Sequence, residues 1–227
     1  MEHQDHRPRV AAERRERMRA RLIEGAMNLV AQNGPIATSI DDVISEAQVS
    51  RGTFYKYFDA PASLVEAVAK DLSNEILRLI DPLVQLSEDP VVRMATGMRL
   101  ALHLSQQHPM LGGFIAKLGW PNLPPDQLMF EYVPRDLELG MQQGKFVRMD
   151  MRAAMNLTGG ILMGGIHTLL SGTAPRDFPE QAAATVLMGL GVDRTTAKKV
   201  AYAKLKPLKI DGDGLIARTL TKSIAIR

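Results

Sequence analysis

The sequence predicts an all-α protein in which an N-terminal three-helix domain precedes a larger helical bundle. Three observations support this fold class. Apolar residues recur at helical spacing along most of the 227 residues. Residues 38–58 contain the capping and turn signals of two short helices joined by a tight turn, which is a helix-turn-helix. No stretch alternates apolar and polar residues strongly enough to predict a sheet.

A basic leader opens the chain. We predict that it is flexible, and His3 and His6 within it lack the partner ligands of a metal site. Residues 7–21 contain only Glu13 and Glu16 as acids, against Arg7, Arg9, Arg14, Arg15, Arg17, Arg19 and Arg21. Such an arm either follows the DNA backbone or a minor groove, or serves as a solvated tail, and the sequence leaves both interpretations open.

The first predicted helix runs from about residue 11 to residue 32. Met18, Leu22 and Ala26 place an apolar stripe on it, and Asn33-Gly34-Pro35 carries the stop signals of a helix C-terminus. This helix is the first of the three in the N-terminal domain.

The helix-turn-helix follows. Thr38 or Ser39 is placed to cap its first short helix, with an aspartate three residues later at the reciprocal capping position. The segment Gln48-Val49-Ser50 interrupts the helical period, and its serine can cap a second helix that begins at Arg51.

The second short helix has two dissimilar faces. At about 100° per residue, Phe54 and Phe58 point one way and Lys56 points the other. Burying the phenylalanines therefore exposes a polar face, as a helix that enters a DNA major groove requires. A small solvated hairpin would share the pattern, but two tyrosines and two cations on the exposed face favour DNA binding. The candidate DNA-binding residues are Thr38, Ser39, Ser50, Arg51, Gly52, Thr53, Tyr55, Lys56 and Tyr57.

The stretch VSRGTFYKYF, preceded by a capped helix and followed by Leu64-Val65-Glu66-Ala67-Val68, resembles the DNA-binding domain of the TetR/AcrR family of transcriptional regulators. The resemblance covers about residues 14 to 70 and continues beyond them only in helical character and length. It implies a ligand-binding and dimerisation bundle after the DNA-binding domain. It also implies a homodimer on double-stranded operator DNA, and in most relatives a small-molecule effector releases a repressor from that DNA.

Three features depart from the family pattern. Gln48 replaces the usual turn glycine, so we expect a non-glycine residue in the left-handed backbone region. Ala60-Pro61 replaces the polar cap and lysine that usually open the fourth helix, which puts a phosphate contact from that lysine in doubt. Asp41 and Asp42 place carboxylates where many relatives have neutral or basic groups, so we expect a weaker positive charge near the DNA.

The composition excludes several other classes of protein. The chain has no cysteine, which excludes disulfides, thiolate nucleophiles and cysteine-ligated zinc. Its net charge is +3 and its hydrophobic content is 45%, as expected of a globular domain. We find no apolar run of about 18 residues and no signal-peptide core at the N-terminus. We therefore expect a cytoplasmic protein that does not bind a membrane.

Methionine-rich helices are predicted after the DNA-binding domain. Their approximate bounds are 62–79, 91–107, 124–143, 150–170, 177–190 and 195–206, with a further apolar segment at 108–121. The predicted segments are thus a leader at 1–10, a helix-turn-helix domain at 11–60, a connecting helix at 61–80, a bundle at 81–210 and an unassigned tail at 211–227. Gly159-Gly160 and Gly164-Gly165 allow a neighbouring helix to approach closely, either within one subunit or across a dimer interface.

An apolar effector pocket is expected among the helices between residues 91 and 170. Methionine suits an adaptable apolar site, although methionine stripes also occur in ordinary cores. The candidate lining residues are Met94, Met98, Leu102, Phe114, Trp120, Met129, Tyr132, Met155 and His167. Three of them, Trp120, Tyr132 and His167, would supply the few polar contacts that such a site needs.

Catalytic and metal motifs are not found. There is no phosphate loop, no Gly-x-Ser-x-Gly elbow and no His-Glu-x-x-His, so we expect no catalytic residue, no metal and no cofactor. His103 and His108 do not share the helical spacing of a metal pair, and His167 lies on an apolar run typical of a core histidine. Two other functions stay open: an architectural DNA-binding protein without an effector, and a helical carrier or enzyme for an apolar ligand.

Overall fold

Ten α-helices form the part of the chain that the computed structural model describes, which is residues 6–33, 39–118, 127–210, 214 and 216–217; no strand occurs in those residues. The helices are α1 (His6–Asn33), α2 (Ile40–Glu46), α3 (Arg51–Phe54), α4 (Pro61–Val84), α5 (Pro90–Gln107), α6 (Pro109–Leu118), α7 (Met129–Gln142), α8 (Met151–Leu170), α9 (Phe178–Gly189) and α10 (Arg194–Ala201). The chain divides into two compact units, which we call the head (residues 1–68) and the bundle (residues 69–227). The predicted all-α class is confirmed.

The head contains the long helix α1 and the short helices α2 and α3. Helix α1 packs against α2, and α2 packs against α3. The buried apolar side chains of the head are Leu22, Ile23, Ala26, Met27, Val43, Ala47, Phe54, Phe58, Leu64 and Val68. Phe54 is fully buried, at 0% exposure, so the predicted inward face of α3 is confirmed.

Local capping and turn signals fix the helix-turn-helix. Ser39 Oγ accepts a hydrogen bond from Asp42 N at 3.2 Å, and Ser39 N donates to Asp42 Oδ2 at 3.1 Å, which completes a capping box. Gln48 has a φ of 50°, so the predicted left-handed residue is confirmed. Arg21 Nη2 donates to Gln48 Oε1 at 3.0 Å and ties this turn to α1. Ser50 caps α3 as predicted.

Two predictions for the head were wrong in extent. Helix α1 begins at His6, so residues 6–10 are helical rather than a flexible leader, which agrees with the high helix propensity of arginine. Residues 1–5 lie outside the described part. Helix α3 ends at Phe54 instead of continuing to Phe58, because Tyr57 N donates to Phe54 O three residues back and tightens the chain into a turn.

Helix α5 is the centre of the bundle, where it packs against α6, α7, α8, α9 and α10. Helix α9 contributes Ala182, Ala183 and Ala184, small buried side chains that let α5 and α8 approach it closely. Val186 and Leu187 on the same helix are fully buried. The bundle therefore surrounds an apolar core, as expected from its predicted stripes.

Helix α4 is longer than predicted. The sequence suggested an end near Leu79 because Asp81-Pro82 follows, but the helix continues to Val84 with the proline inside it. A proline in the last turn removes one backbone hydrogen bond. Ile80 and Val84 are buried on either side of Pro82, and their burial offsets that loss.

Helices α7 and α10 also differ from their predicted bounds. Helix α7 begins at Met129, whereas the predicted start at Pro124-Pro125-Asp126 lies outside the described residues. Helix α10 ends at Ala201, earlier than the predicted residue 206. Arg99 Nη1 donates to Ala203 O at 2.8 Å, so this carbonyl is bound by a side chain of α5.

Part of the tail returns to the bundle. Ile216 is fully buried, and its N–H donates to Glu75 Oε1 of α4 at 3.0 Å. The remaining tail residues, apart from 214 and 217, lie outside the described part.

Helix α8 is long and apolar enough to cross a membrane by length and composition alone, although no such segment was predicted from the sequence. Core helices of soluble proteins meet the same criterion. Ala154 and Ile166 of α8 are buried in the bundle core, and the helix packs against α5, α6, α7 and α9.

Candidate nucleic-acid interface and ligand cavity

The exposed face of α3 and of the turn that follows it is the candidate nucleic-acid interface. Gly52, Lys56 and Tyr55 are exposed, and the tyrosine is 48% exposed although it is aromatic. Its ring packs edge-on against buried Phe54, with 5.4 Å between the ring centroids. The buried Phe54 therefore supports one edge of the Tyr55 ring, while about half of the tyrosine stays accessible to a phosphate contact.

The start of α3 is held by hydroxyl groups. Ser50 Oγ accepts from Thr53 N at 3.1 Å, and the two side-chain oxygens lie 2.9 Å apart within hydrogen-bonding distance. Thr53 and Tyr57 are half-buried, and Ser39 is exposed at the start of α2. Thr38 lies outside the described residues. The remaining candidate DNA-binding residues thus lie on or beside α2 and α3, and their contacts with DNA stay a prediction.

An ion pair lies on this face. Arg51 Nη2 donates to Asp41 Oδ1 at 2.7 Å and to Oδ2 at 2.8 Å. The hydrogen bonds that Arg51 donates to the Asp41 carboxylate raise the pKa of Arg51 above its ordinary value. The acid that departs from the family pattern therefore engages the arginine that was predicted to read DNA. Lys56, by contrast, makes no ion pair with any residue in the described part of the chain.

A cavity of about 160 Å³ lies in the bundle among α4, α5, α6, α7 and α8. Its apolar lining includes Leu72, Ile76, Ile80, Val84, Met94, Met98, Ile115, Met129, Leu162, Met163 and Ile166. Ser73, Asp81, Arg93, Ser105, Tyr132, Asp136 and Thr158 are its polar lining residues. Mostly apolar walls with a few polar groups are typical of a small-molecule site.

The charged lining groups are paired, either with one another or with Arg135. Arg93 Nη1 donates to Asp136 Oδ1 at 3.0 Å, and Arg135 donates to both oxygens of the same carboxylate at 3.0 Å. Arg135 Nη2 also donates to Asp81 Oδ1 of α4 at 2.8 Å. Burial opposes the charge on Arg135, but the two carboxylates outweigh it, so its pKa lies above the ordinary value. This network joins α4, α5 and α7 beside the cavity.

The predicted pocket residues have different positions in the bundle. Met94, Met98, Met129 and Tyr132 line the cavity. Leu102 and Met155 are buried in the core but do not line it. His167 is exposed, so its assignment as a core histidine or pocket residue was wrong. It lies on the solvent-exposed side of α8. Trp120 and the side chain of Phe114 lie outside the described residues.

None of the α4 residues that line the cavity was predicted from the sequence as a pocket residue. Leu72, Ile76, Ile80 and Val84 follow one another at four-residue intervals, which is a regular apolar stripe. Residues 61–80 were predicted only as a connecting helix, although this apolar stripe is visible in the sequence. No cluster of metal-ligating side chains occurs in the residues that the structure describes.

Comparisons with known proteins cover both units. The model of bacterial regulatory proteins of the tetR family matches residues 22–68, and that of the tetracyclin repressor-like C-terminal domain matches residues 89–203. The HTH-type transcriptional repressor Rv3405c of Mycobacterium tuberculosis H37Rv is 35% identical over 66 residues, which cover 29% of this chain and 35% of that protein. The chain thus matches about a third of the length of this curated relative.

Solved structures match over greater lengths. The structure of RolR in complex with resorcinol is 29% identical, with a TM-score of 0.70, and the match covers 87% of this chain and 100% of that one. A TetR family transcription regulator from Marinobacter aquaeolei VT8 is 16% identical, with a TM-score of 0.62, and the match covers 79% of this chain and 98% of that one. The second likeness supports the fold alone.

Proposed function

Because the chain belongs to the TetR family of transcriptional regulators, we propose that it is a cytoplasmic repressor that a small, largely apolar effector releases from a palindromic operator. The observation that carries the proposal is the pairing of two sites in one chain. The head exposes Tyr55 and Lys56 directly after the capped α3, and the bundle contains an apolar cavity with a few polar groups.

The operator is palindromic because the protein binds it as a homodimer. One short recognition helix reads too few base pairs for useful specificity, and two-fold symmetry doubles the site. An exposed stripe on α8, made of Asn156, Gly160, Gly164 and His167, supports this dimer. A Cβ atom added to either glycine would have no neighbour within 4 Å, so these two glycines have space for a second subunit.

The effector acts through the bundle cavity. RolR was solved with resorcinol, a small hydroxylated aromatic molecule, and Rv3405c is named a repressor. We take both properties as guides for this chain. Ligand in the cavity contacts α4, whose first residues belong to the head, and so favours an arrangement of the two heads that does not fit the operator.

Selection of bound fragments from random DNA tests the DNA-binding part. The expected product is an inverted repeat whose binding weakens as salt increases. Salt-sensitive binding without any sequence preference would instead indicate an architectural DNA-binding protein.

A compound screen on the selected operator tests the effector part, and resorcinol is the first compound to try. Release of DNA by a compound that stays chemically unchanged supports the proposal. Turnover of the compound by a protein with no operator affinity would indicate an enzyme, and binding of the compound without any effect on DNA would indicate a carrier.

A further inference from the structure

We propose that the bundle cavity selects neutral ligands that donate a hydrogen bond, such as phenols and alcohols, and that Thr158 is one of the acceptors responsible for this selectivity. This inference rests on the proposed function, since it specifies the chemical class of the effector. It concerns the cavity itself and can be tested without DNA.

Two buried hydroxyl groups line the cavity, and each already donates its hydrogen to a backbone carbonyl. Thr158 Oγ1 donates to Ala154 O at 2.9 Å, and Ser105 Oγ donates to Ala101 O at 2.9 Å. Thr158 is 7% exposed and Ser105 is 2% exposed. A hydroxyl oxygen that has donated its only hydrogen keeps its lone pairs for accepting. Both side chains therefore present acceptors to a ligand.

The charged groups of the cavity do not suit a carboxylate. Arg93 is the lining cation, and each of its nitrogens already donates to the protein: Nε to Ser87 O at 2.6 Å, Nη1 to Asp136 at 3.0 Å and Nη2 to Gln85 at 2.8 Å. Asp81 and Asp136 also line the cavity, and they already balance the charges of Arg93 and Arg135. An ionised ligand would thus lose its hydration without gaining a free cation, which is costly.

A wholly apolar ligand is also disfavoured. It would cover the oxygens of Ser105 and Thr158 without offering them a donor, and a buried acceptor without a donor loses free energy. Ser73 and Tyr132, the other lining hydroxyls, donate or accept. A hydroxyl on the ligand satisfies either kind of group, and its hydrocarbon part fits the apolar walls.

Helix α8 provides a matched control for Thr158. Thr168 Oγ1 donates to Gly164 O at 2.9 Å, which is the same bond to the carbonyl four residues back. Thr168 does not line the cavity. Thr158→Val and Thr168→Val therefore remove the same group and the same local bond from one helix, but only the first removes an acceptor from the cavity.

Calorimetric titration of the DNA-free protein with three probes tests the inference. The probes are 4-ethylphenol, its methyl ether 4-ethylanisole, and 4-ethylbenzoate, which differ only in the polar group. We expect 4-ethylphenol to bind about tenfold more tightly than the other two. Thr158→Val should weaken its binding by about three- to tenfold, the value of one neutral hydrogen bond, and leave 4-ethylanisole unchanged. Thr168→Val should change neither affinity.

Thermal melts establish that each variant is folded, and Thr158→Ser, which keeps the hydroxyl, should keep the preference for the phenol. Equal or tighter binding of the ether or the benzoate would overturn the inference, as would failure of all three probes to bind. Equal effects of the two valine variants would remove Thr158 from the selection. If 4-ethylphenol binds as expected but leaves operator affinity unchanged, the ligand class stands, and that compound fails as an effector.

Discussion

At the scale of single residues, the Asp41–Arg51 pair limits the charge that the head presents to DNA. Both side chains are exposed, at 70% and 58%, so the pair can separate or persist on binding at little cost. The Asp41 carboxylate itself lies on the proposed DNA-binding face. If that face approaches phosphates as proposed, the negative charge of Asp41 opposes the attraction from Arg51 and Lys56.

Asp41→Asn should consequently increase DNA affinity. We expect tighter binding to operator and non-operator DNA alike. The slope of log affinity against log salt concentration should also become steeper by about 1, the contribution of one phosphate contact. Fluorescence anisotropy over a range of salt concentrations measures both quantities. Glu66→Gln, which removes an exposed acid from α4 in the same head, is the control for net charge. A loss of sequence preference in Asp41→Asn would show instead that the pair positions Arg51 for base reading.

A second prediction concerns a partly buried acid in the bundle. Glu180 Oε1 accepts from Arg99 Nε at 3.1 Å and Nη2 at 3.0 Å, and lies 3.0 Å from His103 Nε2. Burial raises the pKa of Glu180, but hydrogen bonds from His103 and Arg99 outweigh it, so the pKa lies below its ordinary value of 4.5. The unfolded chain thus binds this proton more readily than the folded protein does.

The stabilisation from Glu180 is therefore fully present above about pH 4.5 and is lost as the pH falls through the lower folded value. Glu180→Gln leaves Arg99 without its charge partner, and we expect a cost of about 3 to 5 kcal/mol at pH 7. Urea unfolding from pH 7 to pH 3 should show this difference narrowing below pH 4.5. Glu138→Gln, an exposed acid on α7, should change stability little at any pH. A constant difference across the range would contradict the pKa argument.

At the scale of helices, mutating two methionines can distinguish a residue of the cavity wall from a residue of the packed core. Met98 and Met155 are 5% and 8% exposed, but only Met98 lines the cavity. Met155→Ala should cost about 2 to 5 kcal/mol in the free energy of unfolding, because it leaves a void in the core. Met98→Ala should cost less and should change the response of operator binding to the effector. Equal destabilisation with an unchanged effector response would mean that Met98 serves only as core.

The stripe on α8 gives a prediction for the dimer. Gly160 and Gly164 face open space, whereas a Cβ at Gly165 would lie 3.0 Å from Leu102 Cδ2. The close approach within one subunit thus belongs to Gly165. Gly164→Leu should leave the monomer folded and weaken association by at least about tenfold, because leucine holds a second subunit apart.

Sedimentation of diluted samples measures this association. Gly113→Leu in α6 is the control, because that glycine also has no neighbour within 4 Å of an added Cβ. A Gly164→Leu variant that stays fully dimeric on dilution would place the interface elsewhere.

Features with local causes were predictable from the sequence. The Ser39 capping box follows from residue types within a few positions, and it occurs in the structure. The left-handed Gln48 was expected from the resemblance to the family, because it replaces the usual turn glycine, and it occurs as well. The path of α4 through Pro82 was not predictable from local signals, because burial of Ile80 and Val84 in the bundle outweighs the proline signal. His167 shows the same limit, since an apolar run cannot tell which side of a helix stays uncovered.

At the scale of the whole molecule, the cavity was only partly predictable. Met94 and Met98 on α5 and Met129 and Tyr132 on α7 were expected there and line it. The contribution of α4 depends on which helices meet in three dimensions. Residues distant in sequence, such as Asp81 and Arg135, form the network beside the cavity. Helical periodicity predicts the apolar face of each helix but not which helices pack against that face. It therefore could not predict which helices line the cavity.

The proposed link between cavity and head requires reciprocity. Helix α4 contributes to the cavity wall and continues without interruption into the head, and Arg135 ties its Asp81 to α7. If the effector weakens operator binding by a given factor, the operator must weaken effector binding by the same factor, typically about 5- to 150-fold. Titrating the effector with and without saturating operator measures one factor, and titrating the operator with and without saturating effector measures the other.

Arg135→Lys keeps the charge but loses the forked contact with Asp81 and Asp136, so it should reduce both factors together while DNA affinity in the absence of effector changes little. An effector that binds equally well with and without operator would show that the cavity and the DNA-binding face are not coupled, whatever the affinity of either site.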